Sequence, residues 1–178
     1  MSDQPVTPQR PDPPIHIVVM GVSGCGKSTV GVRIAERLGW EYGEGDDFHP
    51  RANVDKMASG RPLQDEDRWP WLHLLADWTK ERGERGESTV LSCSSLKWAY
   101  RDILRGGGER TFFVHLAGDK NTLMARMEGR EHFMPPSLLE SQLDALEPLR
   151  DDEFGMVQDF NSPPDRIARV VAAELDLS

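Results

Sequence analysis

The octet Gly21-Val22-Ser23-Gly24-Cys25-Gly26-Lys27-Ser28 constrains this chain more than any other stretch. Its glycines let the backbone curl so that successive N–H groups converge on one point. The flanks supply the setting such a turn needs. Ile15-His16-Ile17-Val18-Val19-Met20 reads as a short buried strand, and Val30, Ile34, Ala35 and Leu38 recur at helical spacing. Strand, glycine turn and helix in that order complete the phosphate-binding pattern G-x-x-x-x-G-K-[ST]. The turn and the helix N-terminus behind it both attract anions. Gly21, Val22, Ser23, Gly24, Cys25, Gly26, Lys27, Ser28 and Thr29 are therefore the expected ATP-binding set. Lys27 is expected to reach the β- and γ-phosphates, and the Ser28 hydroxyl to hold Mg²⁺.

Composition narrows the partners. The formal net charge of −9 over 178 residues argues against a nucleic-acid or acidic-membrane surface, because phosphate backbones call for a basic footprint. No apolar run approaches the length that spans a membrane. Residues 1–14 are polar and proline-rich and lack the apolar stretch of a secretory signal. They are expected to form a disordered lead-in to a cytoplasmic protein, with one domain over residues 15–178. Two cysteines, Cys25 and Cys93, are too few for a disulfide framework, and no Cys/His spacing suits zinc.

Beyond the first helix, strands and helices alternate, which predicts a parallel sheet with helices on both faces. Strands are expected at Trp40 to Glu44, Thr89 to Cys93, Thr111 to Leu116 and Met156 to Phe160. Helices are expected at Gln64 to Arg82, Lys97 to Arg105, Asp119 to Gly129 and Ser137 to Glu147, and one opening at Pro163-Pro164. Pro70 fits a helix only near its start. Trp69, Trp71 and Trp78 are expected in the core. In such a sheet, ligands lie beyond the carboxyl ends of the strands. That rule gathers the Gly21 loop, the segment 44–47 and the segment 93–97.

Glu44-Gly45-Asp46-Asp47 follows the second strand. Strand alternation places Glu44 and Asp46 on one side if the strand runs that far. Glu44 is assigned to the magnesium shell, and Asp46 to accepting or orienting a substrate hydroxyl. Cations crowd the same region of this acidic chain: His49, Arg51, Lys56, Arg61 and Arg68, then Lys97, Arg101 and Arg105. Bringing ATP to an anionic acceptor requires neutralising like charges, so a small hydroxylated acid is the expected acceptor. Arg126 and Arg130, four residues apart, precede His132-Phe133-Met134-Pro135-Pro136. That run reads as a lid at about 130–136, closing its arginines over the transferring phosphate.

Several blocks together resemble the gluconate kinases of the small phosphate-binding-loop type. They are Met20 to Thr29, Gly45-Asp46-Asp47-Phe48-His49-Pro50, Asn53, Lys56-Met57, Gly60, Pro62-Leu63, Asp65, Asp67-Arg68 and Pro70-Trp71-Leu72. The likeness continues through Cys93-Ser94-Ser95-Leu96-Lys97, Tyr100-Arg101, Leu104-Arg105, His132-Phe133-Met134, Gln142 and Leu146-Glu147. The resemblance implies a three-layer α/β/α P-loop NTPase fold with a mainly five-stranded parallel sheet and a small lid. It implies phosphorylation of D-gluconate by ATP to 6-phospho-D-gluconate, with Mg²⁺ as cofactor, in a cytoplasmic homodimer that feeds the pentose phosphate route. Lys27, Asp46, Arg126 and Arg130 are then the catalytic candidates. Asp46, His49, Arg51, Arg68, Lys97 and Arg101 are the substrate-binding candidates, and Ser28 and Glu44 the metal candidates. Cys25 and Glu44 depart from the serine or glycine and the aspartate common at those positions in the family. A shikimate- or nucleotide-type kinase, or a nucleotide-binding switch without an acceptor, shares the loop and the sheet. The acidic stretch Leu149 to Gly155 has no assigned role.

Overall fold

The computed structural model describes residues 7–108, 110–128 and 136–177. Among these, five strands, β1 (Ile15–Met20), β2 (Glu41–Glu44), β3 (Thr89–Ser92), β4 (Arg110–Ala117) and β5 (Gly155–Asp159), form one sheet in the order β2-β3-β1-β4-β5. Every pairing is parallel. β1 lies at the centre, and all six of its residues are buried, as expected for a strand covered on both faces.

Among the described residues, seven helices connect and cover these strands: α1 (Lys27–Leu38), α2 (Arg51–Ala58), α3 (Asp65–Glu84), α4 (Trp98–Arg105), α5 (Lys120–Glu128), α6 (Pro136–Ala145) and α7 (Pro164–Glu174). Parallel crossovers are right-handed. The step from β1 to β2 runs opposite to the steps from β2 to β3 and from β3 to β4. That puts α1 on one face and α3 with α4 on the other. The packing agrees, with α1 against α7 and α3 against α4. Ile34 and Leu38 of α1, Ile167 and Val171 of α7, and Leu72 and Leu75 of α3 close the core over Ile17, Val18, Val19, Phe113 and Val114.

β2 ends at Glu44, as expected, and the chain then turns into a 3-10 helix at Gly45–Phe48. Two local features differ from expectation. α2 has no counterpart among the expected helices, since Asn53 is its single buried residue and no apolar stripe announces it. Pro70 lies inside α3, beyond its first turn. In the expected lead-in, the backbone of Gln9 is tied to α1. Its N–H donates to the Leu38 carbonyl at 2.9 Å, and its carbonyl accepts from Trp40 Nε1 at 2.6 Å. The expected lid falls outside the described residues, except that residue 136 opens α6.

Candidate active site

The loop after β1 takes the conformation its glycines permit: φ is +144° at Gly21, +84° at Gly24 and +94° at Gly26. Lys27 is the first residue of α1, and its Nζ folds back to donate to the Val22 carbonyl at 3.1 Å. Two neighbours brace the loop. The Gly21 N–H donates to the Ser94 carbonyl at 3.2 Å, tying it to the end of β3. Gln142 of α6 accepts from the Ser23 N–H at 2.7 Å and donates to the Ser23 hydroxyl at 3.0 Å. The Cys25 side chain is buried beneath the loop. Arg126 approaches from α5. It donates to the Gly24 carbonyl at 3.3 Å and to Asn161 Oδ1 at 3.3 Å, with its guanidinium 4.7 Å from the centre of the Phe160 ring.

At the end of β2, Glu44 accepts a hydrogen bond from the Ser28 hydroxyl. The Tyr42 hydroxyl lies 2.8 Å from Glu44 Oε2 and 2.8 Å from Ser92 Oγ, and Ser92 Oγ donates to the Lys27 carbonyl at 3.0 Å. Burial, with Glu44 adding to it, pushes the Tyr42 hydroxyl up to about 12, so it remains protonated. Ser28 and Glu44 present a hydroxyl and a carboxylate oxygen together, a donor pair suited to a hard divalent cation. Among the described residues no group of three or more His, Cys, Asp or Glu could hold a metal. An ion held by this pair would need further oxygens from water or phosphate, the usual habit of magnesium.

The 3-10 turn brings Asp46 in. Gly45 packs so closely that a Cβ there would lie 2.2 Å from the Ser92 carbonyl oxygen. Asp46 then faces a cavity of about 600 Å³ that also exposes Lys27, Ser23, His49, Arg68, Trp71, Ser94 and Gln142. Asp46 keeps solvent contact through the cavity mouth, and partial desolvation by the surrounding walls raises its pKa. Lys27 opposes the shift, while Glu44 and Asp47 add to it. His49 stacks on Trp71, with ring centroids 4.0 Å apart. Arg68 donates to the Leu63 carbonyl at 2.8 Å and to the Tyr100 hydroxyl at 3.1 Å. Lys97 opens on an adjoining hollow of about 290 Å³ that shares Arg68 with the main cavity, and its Nζ lies 3.2 Å from Asp65. Tyr100 donates to the same carboxylate.

Lys27, Asp46, His49 and Arg68 thus converge, with Lys97 next to them and Ser28 and Glu44 in contact. Glu44 and Asp46 do so through the 3-10 turn, not by strand alternation. Two expected acceptor contacts are corrected. Arg51 is on the outside of α2, with 89% of its side chain exposed, paired with Asp55. Arg101 is fully buried, held by Glu153, by the Ser95 carbonyl at 2.8 Å and by the Glu147 carbonyl at 3.1 Å. The acidic stretch 149–155 supplies that counterion. Arg130 lies outside the described residues. Trp71 is a core residue, as expected, but it also forms a wall of the cavity. Tyr42, Ser92 and Asn53 were missed as parts of the site. The register offered one clue, since β2 places Glu44 opposite Ser92.

Residues 17–134 match the family described as AAA domain. The gluconokinase of Gluconobacter oxydans (strain 621H) is 52% identical over 141 residues, covering 79% of this chain and 79% of that protein. A sugar kinase from Janibacter sp. HTCC2649 has a similar structure, with a TM-score of 0.89 at 47% identity, covering 93% of this chain and 96% of the other. A gluconokinase from Sinorhizobium meliloti 1021 gives a TM-score of 0.82 at 45% identity, covering 92% and 94%.

Proposed function

Since this chain belongs to the gluconokinase family, we propose that it transfers the γ-phosphoryl group of ATP to the terminal hydroxyl of D-gluconate, releasing ADP and 6-phospho-D-gluconate. One observation carries the reading. A phosphate loop and a carboxylate, Asp46, open on the same cavity as two groups suited to an acidic polyol, His49 and Arg68.

In this mechanism the backbone amides of Gly24 to Ser28 cradle the nucleotide phosphates, and Lys27 leaves the Val22 carbonyl to meet them. Asp46 accepts a hydrogen bond from the attacking hydroxyl and orients it in line with the γ-phosphorus. Arg68 and Lys97 neutralise the gluconate carboxylate, with Asp65 as their resting partner. Arg126 braces the phosphate loop through Gly24. Ser28 and Glu44 would hold Mg²⁺, which would supply charge neutralisation for the nucleotide phosphates. Most of the acceleration comes from positioning and preorganised charge. The resemblance extends the reading to a cytoplasmic homodimer, and among the described residues no helix is long and apolar enough to cross a membrane.

A coupled ADP-release assay with ATP and Mg²⁺ tests the acceptor. Gluconate should drive turnover, and glucose, shikimate and nucleoside monophosphates should not. Equal rates with glucose would remove the carboxylate from recognition.

A further inference from the structure

His49 lines the cavity and is held by a ring and by an amide. Its ring lies nearly parallel to the Trp71 indole, at an interplanar angle of 15°. Trp71 is itself anchored, since Nε1 donates to the Gly45 carbonyl at 2.8 Å. Asn53, buried one turn along from His49, has its side-chain nitrogen 2.9 Å from the Asp67 carbonyl and 3.2 Å from His49 Nδ1.

These two contacts fix a proton. A backbone carbonyl only accepts, so the Asn53 atom facing Asp67 is the NH₂ group. Its second N–H meets His49 Nδ1, which must then carry the lone pair. The ring proton of neutral His49 therefore resides on Nε2.

We propose that Asn53 is a positioning residue that locks His49 as the Nε2–H tautomer, making it a neutral hydrogen-bond donor to an oxygen of the acceptor in the cavity. Neutrality has physical support: burial, with the charge of Arg68 from α3, lowers the ring pKa to about 4. The other charged groups sharing its cavity are Asp46 and Lys27. A donor with no ionisable role near neutral pH leaves proton acceptance to Asp46 and gives His49 the task of orienting the polyol. The tautomer is independent of the substrate, whereas its use toward gluconate rests on the gluconokinase reading.

The test has two arms. In the first, long-range proton–nitrogen correlation spectra of the ¹⁵N-labelled full chain, without substrate at pH 7, should show His49 with Nε2 protonated and Nδ1 bare. A ring protonated on Nδ1, or a charged ring, overturns the lock. Asn53→Ala should release it into mixed tautomers. If that variant does not fold, the wild-type spectrum decides this arm. In the second arm, His49→Phe keeps the stacked ring but removes the donor, and His49→Gln returns an N–H near the position of Nε2. The gluconate KM should rise about ten-fold in His49→Phe, the scale of one lost hydrogen bond. The ATP KM should stay near wild type, and His49→Gln should recover most of the loss. An unchanged gluconate KM in His49→Phe, or no recovery in His49→Gln, overturns the donor role while leaving gluconokinase activity itself standing. A wild-type enzyme inert toward gluconate instead overturns the function, and the first arm still reads the tautomer.

Discussion

Arg101 and Glu153 form a two-pronged ion pair, Nε to Oε2 at 2.7 Å and Nη2 to Oε1 at 3.0 Å, with side chains 0% and 2% exposed. The pair fastens α4 to the segment leading into β5, and the Arg101 bond to the Ser95 carbonyl fixes the turn beside the cavity. Glu153→Gln should lower unfolding free energy by about 3–5 kcal/mol, the cost of stranding one partner of a buried pair. Chemical denaturation measures this, and wild-type stability in that variant would show the pair to be inert.

The same pair sets an acid limit. Burial alone would raise the Glu153 pKa, but hydrogen bonds from Arg101 and the Arg150 N–H, with the charges of Arg101 and Arg105, hold it down to about 2. A carboxyl depressed on folding adds stability above its unfolded value near 4.5 and loses that contribution as pH falls toward 2. Between those pH values, wild-type stability should fall more steeply than that of Glu153→Gln. Parallel pH profiles would contradict the assignment.

Lys27→Ala should reduce turnover by ~100-fold or more, the scale of removing one key charge stabiliser. Steady-state kinetics at saturating ATP give the answer, and near-normal turnover would take Lys27 out of the mechanism.

Gly45→Ala tests whether the 3-10 turn places Asp46. The added methyl meets backbone atoms of Ser92 and Cys93, which have little room to yield. The turn must shift, so kcat should fall at least about ten-fold, with about 1–3 kcal/mol of overpacking cost. Wild-type kinetics would mean that Asp46 needs no such precision.

The sequence made the centre of this molecule readable and its edges less so. The phosphate loop announces itself because glycine, lysine and hydroxyl must occupy fixed positions between a strand and a helix. The inner strands β1, β3 and β4 announce themselves because buried runs such as Ile15 to Met20 have no other use. The end of β2 at Glu44 was legible, but the 3-10 turn after it was not, because the close approach of Gly45 to the Ser92 carbonyl is a contact between segments distant in sequence. Arg101 was misread for the same reason. On its own helix it resembles Lys97, and only Glu153, 52 residues away, draws it inward. The helix α2 was invisible because its residues serve the cavity and the surface more than the core. Asn53 shows this, since its buried amide is spent on His49 and Asp67.

Asp46 carries the central claim, and its protonation offers the most direct test. Partial desolvation lifts its pKa above the ordinary 3.8, with Lys27 opposing and Glu44 and Asp47 adding. The carboxylate is the working form, so activity should be lost as pH falls through that raised value. The measurement is kcat/KM for gluconate against pH, in wild type and Asp46→Asn, with the product identified by phosphorus NMR. The account predicts 6-phospho-D-gluconate, an acidic limb lying above pH 3.8 in the wild type, and a loss of about 100-fold or more in Asp46→Asn with little change in ATP KM. Gluconate phosphorylation by Asp46→Asn at the wild-type rate, or no phosphorylated gluconate from the wild type, would contradict it.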